Sequence, residues 1–277
     1  MWFISKGFMS KQRNKKKVTP NKNKGSFRDK PLKVNPPVEV AGMRLNKYVA
    51  HCGVCSRRQA ADFIKDGEVT VNGEVLDRPG YEIQEGDVVA YKGKVIEPEE
   101  NLVYLLMNKP RGVITTVKDD RGRKTVMDII GGKVKERIFP VGRLDMDTSG
   151  LLLLTNDGDL AKKLTHPSHG VKKLYHAILD KPLTEEHLQQ IRTGLTLEDG
   201  LVEVDGVDYV KGQEKNEIGI EIHVGKNRIV RRIFEHLGYT VERLDRVYIG
   251  GLTKKDLTRG FFRHLTDREI IMLKHFV

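Results

Sequence analysis

Cysteine is nearly missing from this chain. Cys52 and Cys55 are its only two among 277 residues, so a disulfide framework is excluded. Long apolar runs are missing too. The longest unbroken one is Leu102 to Met107, far short of the ~20 residues a membrane-spanning helix needs. The opening Met-Trp-Phe-Ile is too short for the apolar region of a signal peptide, and no basic stretch precedes it. Export is therefore not expected, and a cytoplasmic, membrane-independent protein is. What is present suffices for a core: 38% of residues are hydrophobic. At roughly 150 residues per domain, the length suggests two domains.

Charge is distributed unevenly. The net charge is +11, and residues 1–42 supply +9 of it, with eleven Lys or Arg against Asp29 and Glu39. The rest of the chain is nearly balanced. A cationic arm on a neutral body points to a polyanion partner. The tail holds runs such as Lys15-Lys16-Lys17 and no hydrophobic period, so it is expected to be disordered.

Order is expected from Met43. Leu45, Val49 and Ala50 suit one face of a short helix ending at Gly53. Ser56 and Gln59 form a capping-box pair for a second helix, with Ala60, Ala61, Phe63 and Ile64 as its apolar stripe and Gly67 as its stop. Val69 and Val71, the turn pair Asn72-Gly73 and Val75 read as a hairpin, and Val88–Tyr91 as a further strand. Residues 43–102 thus form a small α/β domain, of which 95–102 is a linker. Arg57, Arg58 and Lys65 lie on or beside its second helix, away from the apolar stripe. Beyond it, 103–277 mixes strands and helices, the pattern of an α+β domain. Val103–Met107 is a strand, 108–112 a loop, Val113–Val117 a β-branched run, and Leu151–Leu154 a strand buried on both faces. Asn227 is expected to cap a helix with Ile229, Val230, Ile233, Phe234 and Leu237 on one side; Thr266 and Glu269 cap the last helix.

Three groups of residues could carry chemistry. Gly142-Arg-Leu-Asp-Met-Asp-Thr-Ser-Gly150 sets two carboxylates and Arg143 in a glycine-bounded loop before a buried strand, and loops on rigid scaffolds are where functional groups sit. Asp145 acting alone is one reading. A magnesium-dependent aspartyl phosphatase using Asp145 and Asp147 is another, although its aspartates should end an apolar strand rather than precede one. An ordinary Asp-rich turn is the third. Next, Cys52-x-x-Cys55 and His166-x-x-His169 have metal-like spacing but lie over 100 residues apart, so no metal site is expected. Last, Lys226, Arg228, Arg231 and Arg232 surround the start of the helix after Asn227, suited to phosphate contacts or to holding a carboxylate charged.

Taken together, these segments resemble the RsuA/RluB/RluE/RluF family of ribosomal RNA pseudouridine synthases, over residues 43–277. Arg44-Leu-Asn-Lys-Tyr-Val-Ala, Ser56-Arg-Arg-Gln-Ala and Val69-Thr-Val-Asn-Gly73 resemble a small RNA-binding module of ribosomal-protein type. The run from Gly142 to Gly158 is similar to the family's catalytic signature. Lys173-Leu-Tyr175 resembles its Lys-x-Tyr element. Gly225-Lys-Asn-Arg-Ile-Val-Arg-Arg-Ile-Phe234 resembles its third motif, with Ile229 where Gln is frequent.

The resemblance implies a catalytic domain, 103–277, built on a mixed, mostly antiparallel sheet. It implies isomerisation of one uridine in ribosomal RNA to pseudouridine, without cofactor or metal. Asp145 would be the catalytic aspartate, Tyr175 the aromatic group against the base, and Arg231 the partner of the aspartate. Arg57, Arg58, Lys65, Arg143, Lys173, Lys226, Arg228 and Arg232 are the expected RNA contacts. The pattern resembles the RluB type, which acts on large-subunit RNA or its assembly intermediate, and a monomer is expected. A non-catalytic RNA-binding or ribosome-assembly factor using the same surfaces is the alternative from another class.

Overall fold

The computed structural model describes residues 40–275. The tail expected at 1–42 lies outside them except for Val40, Ala41 and Gly42. Those three belong with the small domain: Val40 packs on its core, and the Gly42 amide donates to the Ile83 carbonyl at 2.8 Å.

In the small domain, α1 (Leu45–His51) and α2 (Arg57–Lys65) precede β1 (Val69–Val71), β2 (Glu74–Val75), β3 (Val89–Tyr91) and β4 (Lys94–Val95). The expected capping box forms on α2: Gln59 N–H donates to the Ser56 hydroxyl, and the Ser56 amide donates back to the Gln59 side chain. Such a cap is worth about 1 kcal/mol. Asn72 and Gly73 both take positive φ, 55° and 85°, which a two-residue turn matched to strand twist requires. The strands form one sheet in the order β2-β1-β3-β4. Its apolar face and the helices close over Leu45, Val49, Ala60, Ile64, Val69, Ile83 and Val89. The linker expected from 95 starts one residue later, because Val95 still pairs with Ala90.

The rest of the described chain holds β5 (Tyr104–Lys109), α3 (Val126–Ile130), β6 (Phe139–Val141), β7 (Thr148–Thr155), α4 (Gly158–Thr165), β8 (Lys173–Leu179), α5 (Glu185–Thr193), β9 (Leu195–Leu197), β10 (Gly200–Val202), β11 (Gly206–Tyr209), β12 (Glu217–Ile222), α6 (Ile229–His236), β13 (Val241–Ile249), β14 (Leu252–Thr253), β15 (Phe262–His264) and α7 (Asp267–His275). Among the described residues, nine strands form one sheet along β11-β12-β8-β13-β7-β5-β15, with β14 on β13 and β6 on β7. Its only parallel pair there is β13 with β7; the others are antiparallel. The α+β reading with a mixed, mostly antiparallel sheet therefore holds.

The unbroken apolar run in β7 has a direct cause. Leu152 and Leu154 enter one core with α5 and α6, while Leu151 and Leu153 enter another with α4 and α7. A strand covered on both faces cannot alternate with polar residues, and each buried leucine contributes about 2 kcal/mol of transfer free energy. The domains touch through Lys47 at the end of a long side chain, whose ammonium lies 2.8 and 3.0 Å from the Asp159 oxygens in α4.

Three expectations are corrected. Asn108 and Lys109 finish β5 rather than opening a loop. The β-branched Val113–Val117 is no strand: it has one isolated bridge, Ile114 to Thr125, because its backbone is engaged by Lys109 and by the start of α3 instead. Asn227 does not cap α6; the capping position is Arg228, at φ 46° and without a side-chain cap bond. Among the described residues, no helix is long and apolar enough to cross a membrane.

Candidate active site

The site grows from the turn between β6 and β7. Gly142 leaves β6 with φ +70°, a conformation glycine adopts without strain. Leu144 then turns into the core. Asp145 and Asp147 are half-buried, while Arg143 and Met146 are exposed. The Thr148 amide closes the turn by donating to the Asp145 carbonyl at 3.1 Å. The strand begins at Thr148, so the glycine-bounded loop is shorter than the motif suggests.

Asp145 lies on the wall of a cavity of about 250 Å³. Arg143, Thr148, Lys173, Tyr175, Lys226 and Arg228 also line it. Of the expected catalytic residues, Asp145 and Tyr175 thus share one cavity, floored by strands β8 and β13 and walled by the start of α6. Tyr175 is almost fully buried, and its hydroxyl accepts a hydrogen bond from Arg246 at 3.3 Å.

The cations do not pair as expected. Arg231 meets Asp147, with its guanidinium 2.9 Å from Asp147 Oδ2, and donates also to the Val241 carbonyl at 2.6 Å. Burial draws the guanidinium pKa down, and the Asp147 carboxylate opposes that. The cation nearest Asp145 is Arg228, 3.9 Å from Asp145 Oδ2 and 3.8 Å from Asp147 Oδ2. Arg228 takes αL backbone at the start of α6, and its guanidinium also lies 3.6 Å from Glu235 on that helix. Asp147 therefore holds a buried arginine, a duty invisible in the motif.

Besides Arg228, three of the expected RNA contacts are engaged within the protein. Arg232 grips Asp199 with two bonds of 3.0 and 2.6 Å, and Lys226 donates to the Asp199 carbonyl at 3.0 Å. Asp199 is held at about 2, chiefly by the Arg232 hydrogen bond. Lys173 donates to the carbonyls of Val171 and His223 at 2.9 and 2.8 Å. Arg57, Arg58 and Lys65 are exposed on α2, and Arg143 is exposed at the cavity mouth.

Two buried cations beside the site went unread in the sequence. Lys109, with no exposed surface, donates to the carbonyls of Pro110 and Val113 at 3.0 and 2.7 Å. Arg246 donates to the Leu151 carbonyl at 2.7 Å. For Lys109 the signal was a cation ending an apolar strand; Arg246 sits in a strand with three other charged residues and gave none. As for metals, Cys55 is buried in the small-domain core, and burial pushes the Cys52 thiol up to about 12. Among the described residues no group of three or more His, Cys, Asp or Glu stands close enough to hold an ion.

Burial lowers both Lys109 and Lys173 to about 8. The unfolded chain keeps these amines near their ordinary, higher value. Between that value and about pH 8 it therefore binds more protons than the native state, so stability rises with pH there. For Lys173→Met, the rise in unfolding free energy between pH 7 and pH 9 should shrink by about 1 kcal/mol. Urea denaturation of both proteins at the two pH values measures it, and an identical rise in both would exclude Lys173 as a source.

Residues 103–236 match the family described as RNA pseudouridylate synthase, and residues 43–89 match the S4 domain. The ribosomal large subunit pseudouridine synthase B of Bacillus subtilis (strain 168) is 42% identical over 234 residues, covering 83% of this chain and 95% of that protein. The dual-specificity RNA pseudouridine synthase RluF of Escherichia coli (strain K12) is 37% identical over 235 residues, covering 84% of this chain and 79% of that protein. A crystal structure of a pseudouridylate synthase superposes with a TM-score of 0.58 at 28% identity, covering 83% of this chain and 99% of the other.

Proposed function

The chain belongs to the RNA pseudouridine synthase family and carries an S4 domain, and from that premise we propose that it converts one uridine of large-subunit ribosomal RNA to pseudouridine with Asp145 as its one catalytic carboxylate. The observation that carries this is the shared cavity: a half-buried carboxylate with a cation at its mouth and a tyrosine ring at its floor. The large-subunit substrate is carried over from the Bacillus subtilis relative named above.

The reaction breaks the bond between uracil N1 and C1′, rotates the base, and joins C5 to the same sugar carbon. The C5 proton is lost and N1 gains one, so nothing is oxidised and no group leaves. A carboxylate serves as nucleophile or takes a proton. Uracil reaches Asp145 only after leaving its stack, at a cost of a few kcal/mol that an aromatic face partly offsets. Tyr175 supplies that face, and Arg246 fixes it through its hydroxyl. Arg228, 3.9 Å from Asp145 Oδ2, faces it across the cavity. Arg231 acts through Asp147, fixing the far side of the turn. Arg143 at the mouth and Arg57, Arg58 and Lys65 on α2 contact phosphates, placing the RNA without reading its sequence. The S4 domain match supports the second group.

Mapping pseudouridine across ribosomal RNA with and without the gene tests the reading. One large-subunit position should revert to uridine and recover when the gene is restored. Loss from small-subunit RNA alone would overturn the substrate, and an unchanged map would favour the non-catalytic RNA-binding reading.

A further inference from the structure

The segment after β5 touches the catalytic turn on both sides of Asp145. Thr115 bonds twice to one residue: its hydroxyl donates to the Leu144 carbonyl at 2.8 Å and accepts from the Leu144 amide at 3.2 Å. Three residues earlier, the Gly112 amide donates to the Met146 carbonyl at 2.8 Å. The residues just before and just after Asp145 are thus both tied to one short stretch of chain, 112–115.

That stretch is itself fixed. The Lys109 ammonium holds the carbonyls of Pro110 and Val113. The Ile114 amide donates to the Lys124 carbonyl at 2.9 Å, and the Ile114 carbonyl accepts from Val126 at 3.0 Å, at the start of α3. Val113 is buried in the main core. The turn is therefore clamped to β5 and α3, two elements that contribute no residue to the cavity wall.

We propose that Thr115 is a positioning residue for the reaction: its hydroxyl sets the Leu144 peptide, and through it the place of Asp145. The proposal rests on the reading of Asp145 as the catalytic carboxylate. A hydroxyl is needed because only a group that donates and accepts can serve both the amide and the carbonyl of one residue. Valine has the shape of threonine and offers neither. With it, the Leu144 peptide loses both partners and the turn is free to shift, and a misplacement of about 1 Å at a reacting group can cost about a hundredfold in rate. Substrate contacts are untouched, so affinity should not follow.

The test compares the full chain with Thr115→Val, Thr115→Ser and Asp145→Asn, measuring single-turnover pseudouridine formation at saturating ribosomal RNA, RNA affinity by filter binding, and melting temperature. Thr115→Val should lose roughly tenfold to a hundredfold in rate while affinity stays within about twofold. Thr115→Ser, which keeps the hydroxyl, should restore the rate to within about threefold of the parent. Three results would overturn the proposal: a parental rate in Thr115→Val, an equal loss in Thr115→Ser, or a rate loss matched by collapse of the melting transition. Activity surviving in Asp145→Asn would instead overturn the catalytic reading beneath it.

Discussion

Asp145→Asn is expected to abolish pseudouridine formation, by on the order of a thousandfold or more, while the protein folds and binds RNA as before. The substitution removes a charge and keeps nearly the same shape. Asp145 makes no side-chain hydrogen bond that the fold needs; its nearest cation, Arg228, is 3.9 Å away and also within 3.6 Å of Glu235. Little stability should be lost. Under the proposed mechanism, what disappears is the group that attacks or deprotonates the nucleotide.

Asp147→Asn separates the two carboxylates. Asp147 holds the buried Arg231 at 2.9 Å, so its loss leaves a guanidinium less well paired, at a cost of about 1–3 kcal/mol in stability. Asparagine still offers a carbonyl oxygen to Arg231, and the proposed mechanism gives Asp147 no chemical step, so substantial activity should remain at saturating RNA. Chelators should act only through RNA folding. Single-turnover assays of the three proteins, with and without EDTA, together with urea denaturation, check all of this. Full activity in Asp145→Asn would falsify its assignment. Equal loss in both variants, together with sensitivity to chelation, would restore the paired-aspartate metal reading.

The features that were legible in the sequence are those fixed by neighbours in the chain. The capping box at Ser56 and Gln59, the Asn72-Gly73 turn and the doubly buried Leu151–Leu154 each depend on a few adjacent residues, and each is found in the fold. The turn bearing Asp145 and Asp147 was equally plain. Its partners were not. Which carboxylate Arg231 reaches depends on how α6 meets β13, whose Val241 carbonyl also holds that guanidinium, and no local pattern encodes this. The same holds for Asp199, which claims Lys226 and Arg232 from 27 and 33 residues away. Val113–Val117 misled for the opposite reason. Its β-branched residues suit a strand, but Lys109 bends the chain at Pro110 and Val113, and the segment serves the catalytic turn instead.

Gly150→Ala is expected to cost the fold more than about 3 kcal/mol. Gly150 sits at φ +113° inside β7, outside the region that residues with a side chain adopt readily. Space is shorter still. A Cβ there would come within 2.3 Å of the Arg246 carbonyl oxygen and 2.5 Å of its amide nitrogen. Both are backbone atoms of β13, paired in parallel with Gly150 itself, so neither can swing away as a side chain would. The strands would have to separate within their parallel pairing, which runs over three residue pairs. Arg246 would move with them, and its bonds to Leu151 and Tyr175 set the cavity floor. Activity should fall along with stability for that reason. Gly170→Ala supplies the comparison. Its φ of +57° is strained for alanine, yet nothing lies within 4 Å of the added carbon, so about 1–2 kcal/mol is the expected cost. Urea denaturation of both variants measures the difference. Equal costs at the two positions would mean that the close approach of β13 to β7 is not what demands glycine at 150, and that backbone conformation alone does.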